Sequence, residues 1–227
     1  MATIASDSRL HRTLRFYEAS AGKKVVMAAT GVVLFGFVII HLLGNLQVYA
    51  GPGALDAYGR KLREFPPVLW GARLVLLGCV VAHITAAFQL WRLKHAARPQ
   101  PYVKKVPTVS SYASRTMYWS GPILLCFIIY HLLHFTTGTV LPGYVEGAVH
   151  ANLVRGFQNP YASAFYIVAM AMLCLHLYHG VWSLFQTLGF AHPRYSPRLK
   201  SVAAVTAIGI AAGNISIPVS VLLGVIK

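Results

Sequence analysis

The stretch AMLCLHLYHGVWSLF, residues 171–185, is apolar enough to lie in a membrane, yet it carries His176 and His179 three positions apart. An ionisable side chain inside a hydrocarbon-spanning helix is expensive, so its presence there is itself a hypothesis about a functional site. Working outward, the chain has 227 residues, 56% of them hydrophobic and only 11% charged, which excludes an ordinary soluble surface. Val25–Tyr49, Tyr118–Leu141, Tyr161–Phe190 and Ser201–Ile226 are nearly free of charge, and Val68–Trp91 is interrupted only by Arg73, which can snorkel. With no water in the bilayer to satisfy backbone groups, the expectation is an all-α membrane protein of five transmembrane helices forming one transmembrane domain over residues 1–227.

No signal peptide is visible in the polar, basic first 24 residues. Cys79, Cys126 and Cys174 stand alone in different spans, without the spacing of an iron–sulfur or zinc site or of covalent haem attachment. The net charge of +15 is uneven. Arg9, Arg12, Arg15, Lys23 and Lys24 precede the first span. Arg92, Lys94, Arg98, Lys104, Lys105 and Arg115 lie around the second connection, and Arg194, Arg198 and Lys200 in the fourth. The positive-inside rule then puts the N-terminus in the cytoplasm and the C-terminus outside. These basic residues flank spans and build no separate domain, so nucleic acid is not the expected partner; lipid headgroups or an acidic docking partner are. Glycine-rich nucleotide loops and hydrolase motifs are absent from the sequence.

Six histidines fall within spans: His41, His83, His131, His134, His176 and His179. His11, His95, His150 and His192 lie in tails or connections, where most are expected to be solvated. Depth follows from the helical rise. His41 lies about 26 Å beyond Lys24 and His131 about 24 Å beyond Arg115, which matches them in the outer half. His83 precedes Arg92 by about 14 Å and His176 precedes Leu188 by about 18 Å, which matches those two in the inner half. Two layers of paired imidazoles suit two six-coordinate haem irons, each taking two axial ligands from facing helices and leaving no open position, so the expected cofactors are two stacked b haems within the first four helices. Gly31 stands ten residues before His41 and Gly121 ten before His131, a repetition that favours His131 over His134. Gly180, one turn after His176, leaves room for a macrocycle edge and favours His176 over His179.

The segments FVIIHLLGN, VVAHITAAF, FIIYHLLH and LHLYHGVWSLFQTLGF, in that order, resemble the di-haem cytochrome b membrane anchors of succinate:menaquinone and menaquinol:fumarate oxidoreductases, above all the single-subunit b558 type of bacterial succinate dehydrogenases. The resemblance implies His41 and His131 as ligands of the distal haem and His83 and His176 as ligands of the proximal one. It also implies a flavoprotein and an iron–sulfur partner on the cytoplasmic face, the bacterial inner membrane as location, a place in the tricarboxylic acid cycle, and menaquinone as substrate. Where some fumarate reductases carry a glutamate two residues before the fourth-helix ligand this chain has Cys174, which speaks against a proton path there. Near the distal end Gln47, Tyr49, Arg60 and Glu64 are candidate quinone contacts. Lys24, Arg92, Arg115 and Tyr118 are candidates for haem propionates. Rival expectations are the cytochrome b anchor of a hydrogenase or formate dehydrogenase, which fits four ligands on four spans poorly, and a haem-free histidine-relay transporter.

Overall fold

The computed structural model describes residues 16–97 and 110–227; Arg9, His11, Arg12, Arg15, Arg98, Lys104 and Lys105 lie outside them. Among the described residues five helices have the length and apolar composition to cross a membrane. They are α1 (Ser20–Asn45), α3 (Pro66–Ala96), α4 (Tyr112–His131), α6 (Pro160–Thr187) and α7 (Ser196–Leu222). Two shorter helices, α2 (Pro52–Arg63) and α5 (Val149–Gln158), occupy the connections α1–α3 and α4–α6. There is no strand among the described residues.

Local chemistry sets the ends. Ser111 caps α4 by accepting from the Ser114 N–H at 3.1 Å, and the Asn159 side chain accepts from Tyr161 and Ala162 at the start of α6, where Pro160 needs no donor. Gly51, with φ 98°, turns the chain between the 3₁₀ extension of α1 (Leu46–Ala50) and α2. The third span is displaced towards the N-terminus, running Tyr112–Thr136 where Tyr118–Leu141 was expected. It closes in a π turn, Leu132–Thr136, and the next residues break away at Gly138 with φ 72°, so 137–141 are not helical. The fourth likewise ends at Thr187, three residues early, because Gly189 takes a positive φ of 81°.

The spans alternate in direction, giving a basic end, where α1 and α4 begin and α3 and α6 finish, and an opposite capped end, covered by α2 and α5. Both short helices are amphipathic: the Leu55 face of α2 and the Leu153, Val154 and Phe157 face of α5 are buried against Val48, Tyr166, Ile217 and Val221. Asp56 of α2 accepts from the His150 backbone N–H at 2.9 Å, so one helix caps the other. The hydroxyl end of Tyr58 packs on Gly44, where a Cβ would stand 2.6 Å from its ring, and this close approach seats α2 on α1.

Within the bundle α3 packs on α1, α4 on α6, and α7 along α6 with further contact to α1. The fifth helix is therefore part of the core: Ala207 and Ile210 meet Leu42 and Leu177 beside the histidine-bearing turns. The outward faces of the spans expose Val68, Trp70, Leu74, Val81, Trp119, Val205 and Ile208, a lipid-facing surface.

Candidate functional site

Four helices bring four imidazoles together as two pairs. The rings of His41 on α1 and His131 on α4 have centroids 5.7 Å apart, edge to face. Those of His83 on α3 and His176 on α6 are 6.3 Å apart. Two imidazole nitrogens bound to one metal at about 2.0–2.1 Å each, with their ring radii added, put centroids roughly 6 Å apart, so both pairs fit a shared iron between them. The pairs differ in depth. His83 is level with Thr30, to which its Nδ1 is bonded at 3.1 Å, and His41 lies eleven residues further along α1, about 16 Å towards the capped end.

The Nδ1 edges are occupied. Thr30 Oγ1 faces His83 Nδ1, Ser120 Oγ faces His176 Nδ1 at 3.4 Å, and Tyr166 Oη faces His131 Nδ1 at 3.2 Å. A ring held through Nδ1 presents Nε2 on its other side, the arrangement that orients metal-ligating histidines. His41 has no such partner among the described residues and stacks on Phe37 at 5.2 Å. The glycines differ in what they face. A Cβ on Gly31 would meet the Cε1–Nδ1 edge of His83 at 3.6 Å, whereas at Gly121 and Gly180 it would meet nothing within 4 Å.

His134 belongs to neither pair. It is buried, 2% exposed, inside the π turn, and its Nδ1 shares the Tyr166 hydroxyl at 3.2 Å. Gly156 of α5 lies against it, so close that a Cβ would stand 2.9 Å from His134 Cε1. His179, one turn beyond His176, is half-buried. His150, grouped above with the solvated histidines, is buried at 6% under the α2–α5 cap, whereas His95 and His192 are exposed.

At the basic end Lys24, Arg92 and Arg115 are exposed, Arg115 donating to the Ser110 carbonyl. Tyr118 accepts from Lys94 Nζ at 2.9 Å. At the capped end Tyr49 reaches α7, its hydroxyl 2.8 Å from Ser216 Oγ and 3.0 Å from Ser220 Oγ. It also lines a cavity of about 200 Å³ with Val48, Pro52, His150 and Ile226. Gln47 is half-buried in the same turn, while Arg60 and Glu64 are exposed on and just after α2 and do not line that cavity. The sequence reading missed Tyr166 and the two small hydroxyls; their signal was a polar residue ten or eleven positions before a span histidine.

Five membrane-length apolar helices, with the paired histidines set between them, define a multi-pass membrane protein. A family model for the succinate dehydrogenase/fumarate reductase transmembrane subunit matches residues 97–215, and the chain belongs to that family. The match includes Ser120, His131, Tyr166 and His176 and begins after His41 and His83. No curated protein and no solved structure matches the chain.

Proposed function

We propose that this chain is the membrane anchor and electron-carrying subunit of a succinate:menaquinone oxidoreductase. In this reading it holds two b haems, one between His83 and His176 and one between His41 and His131. The observation that carries it is the pair of facing imidazole couples, drawn from four helices and stacked at two depths. When bound, a bis-imidazole haem supplies one-electron carriage without an open coordination position. The chain's residues do the rest. The four histidines bind, Thr30, Ser120 and Tyr166 orient three of them, and the apolar flanks of α1, α3, α4 and α6 keep water out.

The basic end faces the cytoplasm in this reading, in a bacterial inner membrane, and receives the iron–sulfur subunit that carries the flavoprotein behind it. Its cations suit such docking, and we assign Lys24, Arg92, Arg115 and Tyr118 to the haem propionates. We assign the menaquinone head group to the capped end, at Tyr49 beside its cavity and Gln47 in the same turn. Arg60 and Glu64 do not line that cavity and are left out of this assignment.

Reduced-minus-oxidised spectra of the intact complex test the reading. His83→Ala removes one haem component and His41→Ala the other, each leaving its counterpart. Two components retained in folded His83→Ala complex contradict it, and the absence of any haem band in the unmutated complex would leave the histidines to a relay.

A further inference from the structure

Two of the hydroxyls that touch the imidazoles occupy the same place in two different helices. Thr30-Gly31 stands eleven and ten residues before His41 on α1, and Ser120-Gly121 stands eleven and ten before His131 on α4. Eleven residues of helix rise about 16 Å, so neither hydroxyl can reach the histidine of its own helix. Each instead bonds the histidine of the neighbouring, oppositely directed helix: Thr30 reaches His83 and Ser120 reaches His176.

The proton inventory at Thr30 sets the direction of its bond. Its Oγ1 lies 2.8 Å from the Val26 carbonyl and 3.2 Å from the Met27 carbonyl, and giving its one hydroxyl proton to this pair is the inventory that fits. The oxygen can then only accept, so His83 donates from Nδ1–H, and its lone pair is on Nε2. Gly31 reinforces this placement, since its missing side chain is filled by the Cε1–Nδ1 edge of the same ring. Ser120 is fully buried, with its Oγ on His176 Nδ1 at 3.4 Å.

We propose that the hydroxyl-Gly-x9-His element of α1 and α4 serves both layers at once. Its histidine binds at the capped-end site, and its hydroxyl is a positioning residue for the basic-end site, fixing the tautomer and the donor strength of His83 and His176. The proposal rests on the two-haem reading. It makes a cross-layer claim that composition and ligand identity do not: altering a helix that ligates one haem retunes the other. Donation from Nδ1–H makes the imidazole a stronger donor to iron and favours the oxidised state. Losing the acceptor therefore raises the potential of the haem held by that ring.

The test is Thr30→Val in the complete membrane complex, read by redox-titrated optical spectra and low-temperature EPR, with the two components assigned through His83→Ala and His41→Ala. The basic-end component should shift to higher potential with altered g-values, the capped-end component should stay in place, and Thr30→Ser should restore the original values. Ser120→Ala should move the same component by a smaller amount, its bond being longer. A shift of the capped-end component alone, or equal shifts of both, overturns the proposal. Two components that Thr30→Val leaves unmoved overturn the positioning role of the hydroxyl while sparing the two-haem reading, and fewer than two in the unmutated complex overturn both.

Discussion

Removing the hydroxyl of Tyr166 should loosen the capped-end site from a helix whose own histidine belongs to the other one. The hydroxyl is shared by His131 Nδ1 and His134 Nδ1, each at 3.2 Å, on a residue only 6% exposed. The ring itself packs edge-on against Phe157 at 4.9 Å and Phe127 at 5.0 Å, and Tyr166→Phe leaves those contacts in place. What changes is that two ring nitrogens within the bundle, on buried His134 and half-buried His131, lose their partner. Each such loss costs ~1–3 kcal/mol, and bonds as long as these belong at the low end, so the pair is worth about 2 kcal/mol. If all of it falls on the site, the affinity for its haem drops roughly 30-fold. The assay is haem transfer from the purified complex to an excess of soluble apo acceptor, followed separately for the two spectral components. Tyr166→Phe should lose the capped-end component about 30 times faster while the basic-end component leaves at the original rate. Unchanged rates for both would refute the shared-hydroxyl argument.

Other consequences follow from the same packing. Asp56→Ala removes the cap that α2 supplies to the first turn of α5, at about 1 kcal/mol, and should lower the thermal midpoint of the complex and expose residues 143–158 to protease. Gly156→Ala forces a Cβ into His134 and Phe135, an overpacking of about 1–3 kcal/mol, and should lower the thermal midpoint and disturb the capped-end spectrum only. Gly31→Ala places its Cβ in ordinary contact with His83 and should be tolerated; Gly31→Leu drives further carbons into that ring and should abolish the basic-end component, although Gly31 shares a helix with His41.

Much of this arrangement can be read from the chain because a membrane simplifies the problem. Apolar length alone marks five spans, and a fixed rise per residue turns positions into depths, so the facing of His41 with His131 and of His83 with His176 follows by counting. The capping helices are not legible in that way. Residues 52–63 and 149–158 mix apolar and polar side chains over three turns, and a search for apolar runs passes over them. Gly31 and Gly121 stand out as a repeat, but a repeat reads naturally as serving the histidine downstream of it. Only three-dimensional contact shows Gly31 beside His83, because antiparallel neighbours bring residues ten positions upstream to the opposite layer. The roles of His131 and His134 differ for a similar reason. One turns towards α1 and the other under α5, and the π turn that begins after His131 and contains His134 cannot be anticipated from propensity.

The most direct measurement is a pyridine haemochrome count on the purified complex, normalised to this chain. The account predicts two b haems per chain, one for each facing pair of imidazoles. A count of one would reduce one pair to packing, and a count of zero would contradict the proposed function outright.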